Sequence, residues 1–113
     1  MATITKQFLS GSTNGRGIKV AQTATAGTLL HTAHATDKDE VNIWITNTDS
    51  SDRVITIEFG CTTSPDDLLK LNVPAGETVL VVPGLVISGG LVVKAFGAIA
   101  NVLIAFGYVN RIS

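Results

Sequence analysis

Two histidines three residues apart, His31 and His34 in the segment HTAH, are the first side chains whose type and spacing could hold a metal ion or move a proton. On a helix that spacing would bring both rings to one face; on a strand it sends them to opposite faces. The residues around them favour a strand, so a paired metal site is not expected. A single histidine at a subunit interface, acting as a pH-sensitive contact, is the alternative. The acidic run Asp37, Asp39 and Glu40 around Lys38 lacks the Gly and Glu that a calcium loop needs at its sixth and twelfth positions, which here hold Asn42 and Thr48. It reads as a solvated turn. Asp66 and Asp67 are adjacent and need not converge as a catalytic carboxylate pair, so a capped turn is expected there. Cys61 has no cationic neighbour in sequence to lower its pKa and reads as a packed or loop thiol. No nucleophile-elbow motif occurs, and no Ser–His–acid triad can be inferred from sequence. No cofactor, no metal and no enzymatic activity are therefore expected. Trp44 and Tyr108 are too few for a nucleic-acid stacking platform. Trp44 falls on the polar-leaning side of its strand, which suits a sugar-binding or interface position, or a packing role.

The segments that must position these residues are short and interrupted. From Glu77 to Val109 the chain reads ETVLVVPGLVISGGLVVKAFGAIANVLIAFGYV, with Lys94 the one charge between Thr78 and Tyr108. A membrane-spanning helix needs roughly 20 unbroken apolar residues. Here Pro83-Gly84, Gly89-Gly90 and Gly97 cut the run, and a helix through Pro83 would lose about 3 kcal/mol or more. The pieces are rich in Val, Leu and Ile and read as strands over 78–82, 85–88, 91–96 and 102–109. The last two are expected to form a hairpin across Gly97–Asn101, and the run as a whole to supply central strands. In 102–109 both alternating faces are apolar. One is expected against the opposing sheet and the second against another subunit, with Asn110–Ser113 leaving the sheet.

Upstream, Ala2–Leu9 is an edge strand or an arm, and SGSTNGRG (10–17) is a flexible loop without dinucleotide or P-loop glycine spacing. Short strands follow at 18–22 and 28–35. Val41–Asn47 alternates most clearly, with Val41, Ile43 and Ile45 on one face. Arg53–Gly60 alternates likewise, and the polar link TDSSD suggests a hairpin between the two. PDDLLK is either one helical turn begun at Pro65 or part of a strand over 68–73. Pro74-Ala75-Gly76 is a tight turn. The sum is an all-β chain: a single-domain antiparallel β-sandwich, jelly-roll-like, of eight or nine short strands. Residues 1–17 form an N-terminal arm or edge strand with its loop, and 18–113 the sandwich.

Composition bounds the class further. The 113 residues suit one domain and are 45% hydrophobic, but only 15% are charged, against about 25% in an average domain. Mean hydropathy is +0.38. So few charges leave a small monomer poorly protected against association, which favours a homo-oligomer with an apolar interface. The net charge of −1 argues against a nucleic-acid partner. All nine acids lie between Asp37 and Glu77, whereas Lys6, Arg16 and Lys19 are the charges before Asp37. This basic segment could dock on an acidic partner surface. The lone Cys61 forms no intrachain disulfide, and residues 2–12 lack the apolar core of a signal peptide, so synthesis in a reducing cytoplasm is expected.

The segments VNIWITNTDSSDRVITIEFG and DDLLKLNVPAGETVLVVPGLVISGGLVVKAFGAIANVLIAFGYV together resemble a pattern of small tailed-phage virion proteins. In that pattern a strand ending in a TN turn leads to a returning strand, then a "pAGet" segment, then a closing "nv…GyV" strand. The resemblance covers roughly residues 41 to 109. It implies a bacteriophage capsid decoration (cement) protein, or a neck or tail accessory protein. Such a protein would be made in the host cytoplasm, reside in the virion, be often trimeric, and partner the major capsid protein or another virion protein. The basic N-terminal segment would be an arm on the capsid lattice. Candidate interface residues are Lys6, Arg16, Lys19, Trp44, Phe106 and Tyr108.

Overall fold

The structure is a computed structural model that describes residues 2–113. It contains nine strands: β1 (Ile4–Phe8), β2 (Ile18–Lys19), β3 (Thr28–Thr32), β4 (Lys38–Asn47), β5 (Arg53–Gly60), β6 (Leu68–Val73), β7 (Thr78–Ile87), β8 (Val92–Gly97) and β9 (Leu103–Ile112). One sheet has the order β1-β9-β4-β7, with β2 also on β9; the other has the order β3-β8-β5-β6. All pairings are antiparallel.

The pairings nest. β5 pairs with β6 across the Cys61–Asp67 turn, β4 with β7, β3 with β8, and β1 and β2 with β9. The chain is thus one long antiparallel ribbon folded back at residues 61–67. Coiling that ribbon brings β4 beside β9 and β5 beside β8, which closes the two sheets. This is a jelly roll.

Coiling is driven by the alternation of apolar residues. Val41, Ile43 and Ile45 on β4, and Leu103, Ala105 and Val109 on β9, point inward from one sheet. Ile55 and Ile57 on β5, with Val93 and Ala95 on β8, meet them from the other. The core cluster is entirely aliphatic; Phe59 only packs against it. Each such Val, Leu or Ile contributes about 1.5–3 kcal/mol by leaving water. β8 and β9 lie inside their sheets as expected, but β7 is an edge strand.

Four local expectations change. β4 and β5 do not form a hairpin, because TDSSD carries the chain from one sheet to the other. Asn47 fixes that crossing: its Nδ2 donates to Ser51 O and Val73 O, and its Oδ1 accepts from the Asp49 amide. β8 and β9 likewise lie in different sheets, joined through Asn101 at φ 69°, whose amide bonds Val20 O. Pro83-Gly84 does not end a strand. β7 runs through it with a shift in register against β4, and Gly84 takes φ 79°, a conformation suited to glycine. Asn110–Ser113 stay with the sheet: β9 continues to Ile112, and the Ser113 amide bonds Thr3 O.

Of the options left open, Leu68–Val73 is a strand, preceded by a turn in which the Asp67 amide bonds Thr63 O and the Asp67 carboxylate accepts from the Thr63 amide. Ala2–Leu9 supplies an edge strand, β1.

Candidate interface on the outer face of the β1-β9-β4-β7 sheet

The sheet β1-β9-β4-β7 turns one set of alternate residues into the core and the other outward. Register places Phe8, Tyr108 and Asn42 in one outward row, and Phe106, Trp44 and Leu80 in the next. A third row holds Lys6, Asn110, Glu40 and Val86. Much of this surface is apolar and open: Ile4 is 66% exposed, Phe8 59%, Val86 52%, Leu80 44% and Phe106 42%.

The aromatic groups here organise one another. Trp44 and Tyr108 stack with centroids 6.1 Å apart and planes 26° apart. The Lys6 ammonium lies 4.8 Å from the centre of the Tyr108 ring, a cation–π contact that takes up part of that ring. Phe106 stands beside Trp44 across the β4–β9 ladder. Gly17 lies so close to Ile104 and Phe106 that a Cβ there would sit 2.5 Å and 2.8 Å from their side chains. The 10–17 loop therefore packs onto one end of the face. A depression of about 480 Å³ between β1 and this loop is lined by Lys6, Gln7, Phe8, Gly15, Gly107 and Tyr108.

Of the six residues expected at an interface, Lys6, Trp44, Phe106 and Tyr108 thus form one patch. Lys19 borders it, opposite Ile104 on β9. Arg16 sits in the loop, where it lines a separate recess of about 270 Å³. The expectation that β9 is apolar on both faces holds: Ile104, Phe106 and Tyr108 face outward, only partly covered by this chain.

A second polar assembly lies inside. Asp39, expected in a solvated turn, is fully buried in β4. His31, expected as a possible interface contact, is also fully buried. His31 Nε2 is 2.7 Å from Asp39 Oδ2. Arg111 clamps the same carboxylate, with Nε 2.8 Å from Oδ1 and Nη2 3.1 Å from Oδ2. The Ser10 amide donates to His31 Nδ1 at 3.0 Å, so the ring proton sits on Nε2 and points at Asp39. Burial pushes the Asp39 carboxyl up, but the bonds from Arg111 and His31 and the Arg111 charge outweigh it and hold the pKa at about 2. The same bond raises Arg111 above its ordinary value.

Ser10, His31 and Asp39 carry the residue types of a nucleophilic triad but not its wiring. The imidazole nitrogen nearest Ser10 accepts from the backbone amide, while Ser10 Oγ accepts from the Thr32 amide at 2.6 Å. The hydroxyl has no base to take its proton. The assembly ties the N-terminal segment, β3, β4 and β9 together instead.

The His34 amide also donates to Asp39 Oδ2, at 3.3 Å, but its ring stands apart, with Nδ1 accepting from the Thr36 and Asp37 amides. No group of three potential metal ligands occurs among the described residues. Cys61 is exposed at the edge of a groove of about 460 Å³ lined by Phe59, Val86, Ile87 and Leu91.

No protein-family model matches the chain, and no curated protein or solved structure does either.

Proposed function

We propose that this chain is a structural virion protein, a capsid decoration or cement protein that stabilises a phage head by binding its shell as a homo-oligomer. The observation that carries the reading is the outer face of the β1-β9-β4-β7 sheet. It displays Ile4, Phe8, Leu80, Val86 and Phe106 to water in a chain with few charges. Exposed apolar side chains gathered on one face, as Phe8, Phe106 and Leu80 are in adjacent rows, suit an association site. The resemblance of residues 41–109 implies the virion context, and the β-sandwich is compatible with it. The trimer is what that resemblance implies. Lys19 at the border of the face and Arg16 in the adjoining loop support a reading in which the basic segment meets an acidic shell surface.

The genes flanking this one test the assignment. A neighbouring major capsid gene, with co-sedimentation of the purified protein on heads of that phage, is expected. Failure to bind those heads would refute the decoration role.

The stacked Trp44–Tyr108 pair favours one second reading, a tail or neck accessory protein acting as a carbohydrate or receptor-binding module. Binding on a glycan array that is lost in Trp44→Ala, with tail genes as neighbours, would support it over decoration.

A further inference from the structure

We infer that the depression between β1 and the 10–17 loop binds an acidic sugar, a pyranose ring bearing a carboxylate. The inference deepens the carbohydrate-binding reading above, on which it rests, by naming the ligand class and the residues that meet it.

The walls of the site are aromatic. Phe8 and Tyr108 are direct partners across the β1–β9 ladder, and both line the depression. Its volume of about 480 Å³ falls within the range of small-molecule sites, about 300–1,000 Å³, which pair apolar walls with a few polar groups. A sugar ring has that same division, with C–H groups on its faces and hydroxyls on its rim. The walls are also held in place before any ligand arrives. Trp44 stacks on Tyr108 from β4, and Lys6 lies over the Tyr108 ring. On the loop side Gly15, at φ 86°, comes so close to Phe8 that a Cβ there would sit 3.1 Å from its ring. Ser12 secures that turn, its Oγ accepting from the Gly15 amide and donating to Leu9 O. Such preorganisation lowers the cost of binding.

Charge decides the class of sugar. Lys6 is the one charged residue lining the depression, and it forms no ion pair among the described residues. No Asp or Glu occurs in residues 1–36. The carboxylate in the row of Lys6, Glu40, lies beyond Asn110 and accepts from the Asn110 side chain. An ammonium group beside apolar walls and without a counter-ion favours a ligand that brings one. Two other recesses lack this combination. The groove beside Cys61 is lined by both Lys38 and Asp67, and the recess at Arg16 has no aromatic wall.

Trp44, the chain's one tryptophan, stacks on a wall of the site and reports on it by fluorescence. The full chain is titrated with glucuronate and galacturonate, and with glucose and galactose as their neutral counterparts, each to about 50 mM. A saturable change is expected, with at least one uronate binding about tenfold or more tighter than its neutral counterpart. Lys6→Met, at an exposed position, is expected to remove that preference and leave the neutral sugar unchanged, while Phe8→Ala weakens both. Unchanged urea midpoints show that the variants fold. Equal binding of acid and neutral sugar, or a preference that survives Lys6→Met, would overturn the acidic-sugar assignment and leave the carbohydrate reading standing. No saturable response to any of the four would overturn the site itself, and glycan-array binding lost in Trp44→Ala would then still uphold the carbohydrate reading.

Discussion

At the residue scale the decisive group is Asp39, a buried carboxylate shared by an imidazole and a guanidinium. Removing one partner of such a group leaves charge without compensation in the interior. Arg111→Met should therefore destabilise the fold by about 3 kcal/mol, measured by urea unfolding at pH 7. The pH dependence follows from the depressed folded pKa, about 2 against an ordinary 3.8. A carboxyl lowered on folding adds stability above its unfolded value and loses it as pH falls through the folded one. The loss should run from about pH 4 down to about pH 2 and amount to roughly 2 kcal/mol, and Asp39→Asn should flatten that part of the profile. Equal acid sensitivity in the variant would contradict the assignment. The sequence disguised this residue. TDKDE has the composition of a wetted turn, and its partners His31 and Arg111 lie 8 and 72 positions away. One local signal was present: Asp39 begins the same inward alternation as Val41, Ile43 and Ile45. Trp44 was easier, because it alternates with Val41, Ile43 and Ile45; both faces of the strand carrying Phe106 and Tyr108 are apolar, so which side turns outward, and their convergence with Lys6, depend on register.

At the element scale the strands were legible and their partners were not. A polar link such as TDSSD looks the same whether it turns a hairpin or carries the chain between sheets. The choice is made by where Ile55 and Ile57 find apolar cover, and by Asn47, whose three side-chain bonds hold the crossing. Pro83-Gly84 was read as a break because it interrupts the apolar run, yet an edge strand tolerates a proline's missing N–H on its open side. β9 depends on close approach to β4. A Cβ on Gly107 would lie 2.0 Å from Asn42 O, so the two backbones would have to part. Gly107→Ala should destabilise by more than about 3 kcal/mol, read as a lowered urea midpoint. A change within about 0.5 kcal/mol, the size typical of surface substitutions, would show that the ladder yields freely there.

At the scale of the whole molecule, the nested ribbon explains how a chain with few aromatics and few charges closes a sandwich: the hydrophobic core cluster is aliphatic, and among the described residues every buried side-chain polar atom is hydrogen-bonded. The ribbon leaves apolar side chains uncovered on the outer face of the β1-β9-β4-β7 sheet, and in the proposed assembly other copies shelter that face. Sedimentation equilibrium of the purified chain at micromolar concentration tests this most directly, run beside Phe106→Lys, which places a charge in the middle of the face. The prediction is a stable multiple of the 11.8 kDa chain that dissociates in the variant while the variant's strand content is unchanged. A stable monomer at that concentration, or an assembly indifferent to Phe106→Lys, would contradict it.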